Sequence, residues 1–369
     1  MLVIDNPTVE QVLTAPEVID ALEECHRALA SGQAVNSPPY RVFTPCSAND
    51  FEPGRLPEGA DPTHHSFTSL TGAIATLDVT SDRVDSDVIT YVRRAGRLRE
   101  IRVPGTEDRK FCGMIYLYSS KTGELLAIIH DGYLQKFRVA GTAAIGTKYL
   151  ARQDAKVMAL IGTGWQAQAE VLCNAAVRKL DKIKVYSPTP GHSQAFAERW
   201  TEESGVEIVP ARSAQEAVQG ADFVITATNA PEPVVLTEWL EPGQFVTGVK
   251  DLELELSGWE RCEVLTANRH GPMWHRYAIG GADVIPEQGR DYWGKPSKVE
   301  WEQLPLLGDV MLGKHPGRTS DDQVTGLILR GDGVQFTAVA HRIYQLCRER
   351  GLGVELPREL FLQDERYIP

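Results

Sequence analysis

The stretch Val157-Met158-Ala159-Leu160-Ile161-Gly162-Thr163-Gly164-Trp165-Gln166-Ala167-Gln168-Ala169 decides the fold of this chain. A short apolar run enters a Gly-x-Gly-x-x-Ala turn, and an alanine-rich helical segment follows the turn. This pattern is typical of the start of a dinucleotide-binding βαβ unit. Gly162 permits the tight turn, Gly164 lets the backbone approach a pyrophosphate, and Ala167 keeps the helix close to the strand. The amides at the start of the helix would then face the phosphates.

The surrounding sequence supports this interpretation of a motif that is weak evidence by itself. Residues 156–161 predict a buried strand, residues 165–179 a helix and residues 183–186 the next strand. Residues 221–228 predict a further strand that ends at the rim facing the cofactor. An ordinary structural turn is the alternative. The residues that we expect to contact the cofactor are Gly162, Thr163, Gly164, Trp165, Gln166, Ala167, Ser187, Thr189, Thr226 and Thr228.

The end of the second strand bears on the choice between NADP and NAD. A site that prefers NAD usually has Asp or Glu there, which binds the ribose hydroxyls. This chain has Tyr186, Ser187 and Thr189 instead, and its next carboxylate is Glu198. Hydroxyl groups without a negative charge would accept a 2′-phosphate, which slightly favours NADP. No arginine stands in the loop to bind that phosphate, although His192 is available.

Composition limits the classes of partner. The formal net charge is −12, and such a surface repels nucleic acid and anionic membranes, so neither is expected as a partner. No apolar run approaches the length that crosses a bilayer, and residues 1–7 lack the basic segment and apolar core of a signal peptide. The six cysteines are scattered without a Cys-x-x-Cys pair, which predicts reduced thiols, no metal site and a cytoplasmic location.

The length of the chain predicts two domains, because 369 residues exceed the usual size of one hydrophobic core. Residues 134–326 are expected to form a Rossmann domain. Residues 1–133 and 327–369 are expected to form a second domain, in which residues 72–129 are strand-like. The apolar stripe of a helix at 336–350 would pack back on this domain. The predicted fold class is therefore α/β, with a Rossmann-type NAD(P)-binding domain inserted in a discontinuous α+β domain.

The segment before the glycine turn resembles a known family. Residues 131–144 read DGYLQKFRVAGTAA, and residues 148–152 read KYLAR. Members of the ornithine cyclodeaminase/mu-crystallin family carry an Asp-Gly, a short spacer, an Arg with small residues and a Tyr-Leu-Ala in this order. The hairpin at 116–129 and the segment at 313–319 also match, so the likeness covers nearly the whole chain.

The resemblance implies a fold, an assembly and a chemistry. Proteins of this family are homodimers that join their substrate domains through a shared β structure. They hold NAD(P) in an inserted Rossmann domain and perform hydride chemistry at the α-carbon of amino or imino acids. The discontinuous domain of this chain is therefore expected to bind the substrate and to mediate dimerisation.

The resemblance also indicates roles for three residues. Arg138 would pair bidentately with the substrate carboxylate, for which a planar guanidinium suits better than the point charge of a lysine. Arg41, in the run PPYRV of residues 38–42, matches a second carboxylate-binding arginine of the family. Asp251 falls where the family has its essential aspartate, which would bind the substrate amine and shuttle its proton. The alternatives are a structural arginine at 138 and an ordinary loop carboxylate at 251.

The chain departs from the family pattern in two places. The usual Pro-Gly-Lys after the aspartate is missing, and Glu253 and Glu255 crowd the same place. The cyclodeaminases also place a lysine on the strand after the first turn of the substrate domain, whereas residues 72–82 contain none and have Asp78 and Thr80 there. The loss of this cation argues against authentic ornithine cyclisation. Candidate replacements for the lysine are His64, His65 and Lys136.

The leading hypothesis is an NAD(P)-dependent oxidoreductase that acts on a small amino or imino acid, of the ketimine reductase or amino acid dehydrogenase type. One alternative is a lyase of the ornithine cyclodeaminase type, which releases ammonia and uses its nicotinamide catalytically. Another is an NADPH-dependent binding or regulatory protein without turnover. Net consumption of the cofactor distinguishes the first hypothesis from the other two.

Overall fold

The computed structural model of the chain describes residues 1–94, 97–106, 108–281 and 291–363. In these ranges the strands are β1 (Leu2–Ile4), β2 (Ala34–Asn36), β3 (Tyr40–Pro45), β4 (Thr63–Ile74), β5 (Val79–Arg94), β6 (Arg97–Val103), β7 (Cys112–Ser119), β8 (Leu125–His130), β9 (Val157–Ile161), β10 (Lys182–Tyr186), β11 (Glu207–Pro210), β12 (Phe223–Thr226), β13 (Phe245–Gly248), β14 (Val264–Ala267), β15 (His275–Ala278), β16 (Thr325–Ile328) and β17 (Val354–Glu355).

The α-helices of the same ranges lie on both sheets and between them. They are α1 (Asn6–Val12), α2 (Ala15–Ala30), α3 (Gly132–Leu150), α4 (Trp165–Val177), α5 (His192–Ser204), α6 (Ala214–Val218), α7 (Leu256–Glu260), α8 (Leu307–Met311) and α9 (Gly333–Arg350). None of the described helices is long and apolar enough to cross a bilayer.

Seven parallel strands form the nucleotide-binding sheet, in the order β11-β10-β9-β12-β13-β16-β14. Met158 and Leu160 on the central strand β9 are fully buried, as expected for a parallel sheet with both faces covered. The strand order reverses between β9 and β12, and ligands bind at such a switch point beyond the carboxyl ends of the strands. The predicted Rossmann architecture is therefore confirmed.

The second sheet has ten strands, which run β15-β3-β4-β5-β7-β8-β1-β17, with β2 paired to β4 and β6 paired to β5. The predicted hairpin is β7–β8, and the closing helix α9 packs back on β4 and β5. At this contact Gly72 and Gly333 bring the two backbones so close that a Cβ on either would collide with the other segment. The fold class predicted from the sequence is confirmed.

Two strands bear on the predicted domain boundaries. Strand β16 belongs to the nucleotide sheet, so the boundary predicted between residues 326 and 327 falls inside a strand. Strand β15 lies within the predicted nucleotide segment 134–326, yet it pairs with β3 of the ten-stranded sheet. We therefore propose that the nucleotide domain ends after Ile328 and that the segment carrying β15 crosses to the other sheet. Residues 364–369 of the predicted second domain lie outside the described residues.

Helix α3 connects the two sheets and carries Arg138. Its small residues let it pack closely, since a Cβ on Gly141 would lie 2.7 Å from Leu22 and a Cβ on Gly146 would lie 2.7 Å from Leu327. The run of small residues that marks the family resemblance therefore has a packing role. It holds the helix between α2 and the nucleotide sheet and so positions its polar residues between the two domains.

Candidate functional site

A cavity of about 770 Å³ lies at the carboxyl ends of β9, β10 and β12. Two of the ten predicted cofactor residues, Ala167 and Thr226, are buried and do not line it. Ala167 is fully buried, as expected for a residue that keeps α4 close to β9. The eight predicted residues that line the cavity are Gly162, Thr163, Gly164, Trp165, Gln166, Ser187, Thr189 and Thr228.

The glycine turn has the geometry that a dinucleotide requires. Gly162 has a φ of +119°, and a Cβ there would collide with the carbonyl oxygen of Ala227, so both conformation and space demand glycine. Gly164 is the N-cap of α4, and a Cβ at this position would meet nothing within 4 Å. No side chain caps α4 and no acidic residue lies in its first turn, so its first amides are available to a pyrophosphate.

Glu253 organises the end of β12. Its Oε2 accepts a hydrogen bond of 2.8 Å from the Thr226 hydroxyl, and its Oε1 accepts bonds from the Thr228 amide and hydroxyl. Glu253 is fully buried, and burial raises the pKa of its carboxyl. The predicted role of Thr226 is therefore corrected: its hydroxyl is directed to Glu253 rather than to the cavity. The sequence pattern did not reveal this role of Glu253.

The ribose end of the cavity has hydroxyl groups and positive charge. Ser187, Thr189 and His192 line it, and no carboxylate lies among its described lining residues. The Ser187 amide donates to Ser193 Oγ over 2.8 Å, which holds the loop after β10. Arg99 on β6 also lines this cavity. An arginine of the other sheet therefore contributes positive charge to the cavity.

A second cavity of about 510 Å³ adjoins the first and shares Trp165, Gln166, Thr228 and Asn229 with it. Its walls come from both sheets. The predicted substrate residues Arg41 and Arg138 both line it. Its cationic lining residues are Arg41, Arg102, Arg138, Lys250, Arg276 and Arg330.

Arg138 is buried on α3 and is held by neutral groups. Its Nη1 donates to Gln335 Oε1 over 3.2 Å, and its Nε and Nη2 donate to Gln135 Oε1 over 3.3 and 3.1 Å. Its guanidinium lies 4.7 Å from the ring centroid of Phe336. Burial lowers the pKa of Arg138 to about 9, so the group stays charged at neutral pH. Among the described residues no carboxylate forms an ion pair with it, which suits a guanidinium that binds a substrate carboxylate.

Arg41 lies on the facing wall, on β3. Its guanidinium stacks on the indole of Trp274, 4.1 Å from the ring centroid. Its Nε is buried without a hydrogen-bond partner in the described residues, and burial lowers the pKa of the side chain to about 10. Trp274 directly precedes β15, so the crossing segment builds this wall.

Asp251 does not line the cavity, contrary to its predicted catalytic role. Its side chain is fully buried, and its Oδ2 accepts hydrogen bonds from Arg330 Nη2 over 3.0 Å and from the Tyr292 amide over 2.8 Å. The residue on the wall is its neighbour, Lys250. Because consecutive residues of an extended segment point to opposite sides, a step of one position decides which side chain faces the cavity. Asp251 thus orients Arg330, which does line the cavity.

Glu100, on β6, is the carboxylate that interacts with Lys250. Lys250 holds the pKa of Glu100 at about 2, and the Tyr91 hydroxyl donates a hydrogen bond of 3.4 Å to its carboxylate. Glu100 is therefore ionised throughout the neutral range and does not serve as a proton donor there. Lys250 itself lines the cavity, and its side-chain nitrogen is a hydrogen-bond donor.

Arg102 is a further cation in the wall of this cavity. It comes from β6, and its Nη1 lies 2.7 Å from Asp87 Oδ2 and 3.3 Å from Asp85 Oδ2. Burial raises the pKa of Asp87 to about 6. Residues 72–82 instead form the turn between β4 and β5 and the adjoining strand ends.

The three replacements that the sequence suggested do not line this cavity in the described structure. His65 Nε2 lies 3.0 Å from Ser86 Oγ, and His64 packs edge-on against Phe43. Lys136 donates to Gln168 Oε1 over 3.2 Å. The hairpin of β5 and β6 carries Arg102 to the cavity, and the sequence analysis did not single this residue out.

The described residues contain no group of three or more His, Cys, Asp or Glu that could hold a metal ion. All six cysteines are unpaired, and Cys25, Cys173 and Cys347 are buried.

Comparison with known proteins gives the same family as the motifs. A model of the ornithine cyclodeaminase/mu-crystallin family matches residues 108–258. A protein of Sinorhizobium fredii named uncharacterized cyclodeaminase y4tK is 31% identical over 299 residues, which are 76% of this chain and 86% of that protein. A Delta(1)-pyrroline-2-carboxylate reductase of Bacillus cereus is 30% identical over 241 residues, which are 65% of this chain and 73% of the reductase.

A solved structure shows the same fold over almost the whole chain. The Thermococcus litoralis Delta(1)-pyrroline-2-carboxylate reductase, in complex with NADH and L-proline, superposes with a TM-score of 0.72 at 22% identity. The superposition covers 96% of this chain and 100% of that chain. This structure shows the fold, and the family model with the relative at 31% identity shows the family: this chain belongs to the ornithine cyclodeaminase/mu-crystallin family.

Proposed function

We propose that this chain is an NAD(P)-dependent oxidoreductase that exchanges hydride at the α-carbon of a small amino or imino acid. One observation carries the proposal: a cavity with an uncapped helix start adjoins a cavity whose buried Arg138 has no carboxylate partner in the described structure. At this junction, the α-carbon of a substrate whose carboxylate is bound by Arg138 would lie next to the dinucleotide. The reductase names among its relatives support this direction of chemistry.

The nucleotide cavity fits a dinucleotide in backbone and in charge. The first amides of α4 and the open face of Gly164 would hold the pyrophosphate, and Ser187 and Thr189 the ribose. When bound, the nicotinamide supplies hydride exchange. We propose that NADP(H) is preferred over NAD(H), since no carboxylate follows β10 in the described cavity and Arg99 adds positive charge.

The substrate cavity orients the other reactant. Arg138 would bind the carboxylate, and Arg102 would provide the cation that the family pattern assigns to a lysine. Lys250 would donate a proton to the nitrogen as an imine is reduced, and would accept it in the reverse direction. Trp274 and Leu329 would exclude water from the wall opposite the nucleotide. These groups fix distance and orientation, which lowers the entropic part of the barrier.

A cyclodeaminase is the second candidate, because a relative with 31% identity carries that name. In that reaction ammonia leaves and no cofactor is consumed. The absence of lysine from residues 72–82 and the burial of Asp251 against Arg330 favour the reductase.

We also propose a homodimer that forms through the outer face of the ten-stranded sheet. Val42 on β3 is the register partner of both Tyr277 on β15 and Phe67 on β4, so the three side chains form one row. Their exposed fractions of 39%, 60% and 37% leave an apolar row uncovered in one chain. The cytoplasmic location, based on scattered cysteines, stays a prediction.

The first experiment is a rate measurement at the absorbance band of the reduced nicotinamide. Purified protein receives NADPH or NADH with cyclic ketimines, and with pyruvate or glyoxylate plus amines. We expect consumption of cofactor, and we expect Arg138→Gln to lower kcat/KM about 100-fold or more while the cofactor Kd stays within about twofold. The matched control is Arg348→Gln, at an exposed position on α9.

Two other outcomes would reject the reductase. Ammonia release from ornithine or a homologue, without net oxidation of cofactor, would indicate a cyclodeaminase. Tight binding of NADPH with neither reaction would indicate a binding protein.

A further inference from the structure

The substrate cavity has more positive charge than one carboxylate requires. Two of its six cations, Arg102 and Arg330, are neutralised from behind the wall by ion pairs. The other four face two lining carboxylates, Glu100 and Asp291, which leaves an excess of two positive charges. These four cations are Arg41, Arg138, Lys250 and Arg276.

Arg41 and Arg276 lie side by side. They are register partners on the parallel strands β3 and β15, so their side chains leave the sheet on the same face. The Nε atoms of both are buried without a hydrogen-bond partner in the described residues. The carboxylate of Asp291 lies 3.9 Å from Arg276 Nη2, which is too far for a hydrogen bond. Adjacent guanidinium groups with unsatisfied N–H groups are costly unless an anion binds them.

Trp274 lies close to both groups of cations. The Arg41 guanidinium stacks on its indole, and a Cβ placed on Gly331 would lie 3.8 Å from Trp274 Cη2 and 3.9 Å from Arg138 Nη2. Arg138 belongs to α3, whereas the Arg41–Arg276 pair belongs to the ten-stranded sheet. The cations therefore form two groups on different elements of the cavity wall.

We propose that the substrate carries two carboxylates, one bound by Arg138 and the other by the Arg41–Arg276 pair. The inference rests on the proposed function, because it names the substrate class of the same cavity. The second carboxylate belongs either to the side chain of the oxo acid or to the amine component of the imine. The reaction balances as for any imine: the carbon gains a hydride from the reduced nicotinamide, and the nitrogen gains a proton.

Carbon-matched substrate pairs test this class. With ammonium as the amine, 2-oxoglutarate is compared with 2-oxopentanoate, which places the second carboxylate on the oxo acid. With pyruvate as the oxo acid, glycine is compared with ethylamine, which places it on the amine. We expect the dicarboxylic member of at least one pair to have a kcat/KM about tenfold higher or more, as one charge-assisted bond gives. Preference for the monocarboxylic member in both pairs would overturn the proposal.

Arg276→Gln should change this preference selectively. We expect it to lower kcat/KM for the preferred dicarboxylic substrate about 10- to 100-fold and to leave the monocarboxylic partner within about twofold. Arg276→Lys keeps the charge and should lose less, which also covers the case in which the glutamine variant fails to fold. Arg348→Gln should change neither rate. An equal loss for both members of the pair would contradict a carboxylate site at Arg276.

Binding without turnover separates this inference from the proposed function. Calorimetry compares succinate with butyrate, which have the same number of carbons, on protein saturated with oxidised cofactor. We expect succinate to bind about tenfold tighter or more, and Arg276→Gln to remove the difference. If no substrate is turned over but this preference is found, the proposed function fails and the two-carboxylate site stands. Equal affinities for succinate and butyrate would overturn the site whatever the rates are.

Discussion

The two adjoining cavities are built in opposite ways. The nucleotide cavity takes its central feature from one continuous stretch, which comprises the backbone of Gly162 and Gly164 and the start of α4. The substrate cavity takes its charged groups from side chains on β3, β6, α3 and β15 and from the segments after β13 and β16. A site made of backbone is tied to a local pattern, whereas a site made of side chains depends on the packing of distant elements. Substitutions in the two cavities should therefore have different effects on stability, cofactor affinity and rate.

The two glycines of the turn test the backbone-built site and should give the largest effect. Gly162→Ala should lower the free energy of unfolding by about 3 kcal/mol, because φ is unfavourable and the new methyl group collides with Ala227. Gly164→Ala is the matched variant, because its methyl group meets no protein atom within 4 Å. It should leave the melting temperature unchanged and raise the cofactor Kd about tenfold or more. Thermal melts and cofactor titrations measure both; unchanged cofactor affinity in Gly164→Ala would mean that no phosphate approaches there.

Variants of Lys250 and Asp251 test which of these two neighbouring residues carries the proton in the substrate cavity. Lys250→Met should lower kcat about 100-fold, since it removes a proton donor from the wall, and it should raise the pKa of Glu100, since it removes the cation that lowers that pKa. Asp251→Asn should instead lower the free energy of unfolding by about 3 kcal/mol, because it breaks a buried ion pair with Arg330. Denaturant unfolding and pH–rate profiles distinguish the two. A stable Asp251→Asn protein without activity would restore the aspartate as the proton carrier.

Ser187→Asp tests the part of the nucleotide cavity that depends on side chains. A carboxylate after β10 should repel a 2′-phosphate and bind ribose hydroxyls, so the ratio of NADPH to NADH affinity should fall about tenfold. Ser120→Asp, at an exposed position in the turn after β7, adds the same charge elsewhere and should not change the ratio. A constant ratio in Ser187→Asp would show that this loop does not contact the ribose.

Glu170 on α4, behind the glycine turn, should have the smallest effect. It is fully buried, and burial raises the pKa of its carboxyl to about 8. The native state thus holds a proton that the unfolded chain releases from about pH 4.5 upward, so stability should fall as pH rises towards 8. Glu170→Gln should remove this slope and should be more stable than the unaltered protein at pH 8. Parallel slopes in urea unfolding of both proteins between pH 5 and pH 8 would contradict the raised pKa.

The sequence by itself determined the Rossmann architecture, the position of the glycine turn and the family. Each of these depends on a short contiguous pattern, because a turn and the helix after it are set by local backbone preferences. Arg41 and Arg138 were identified as well, through runs that match the family, and the structure brings them into one cavity.

Only the tertiary structure decided the rest of the substrate cavity. Arg276 reaches it through a strand pairing between distant segments and Arg102 through the hairpin of β5 and β6, and the pairing register sets the face on which each lies. The structure also places Lys250 rather than Asp251 in the cavity wall and directs the Thr226 hydroxyl to Glu253. Neighbouring residues of an extended segment face opposite sides, so a step of one position decides which side chain reaches the cavity. A list of residue types along the chain does not contain that register. It arises only when the two sheets pack against α3 and the segment carrying β15 crosses between them.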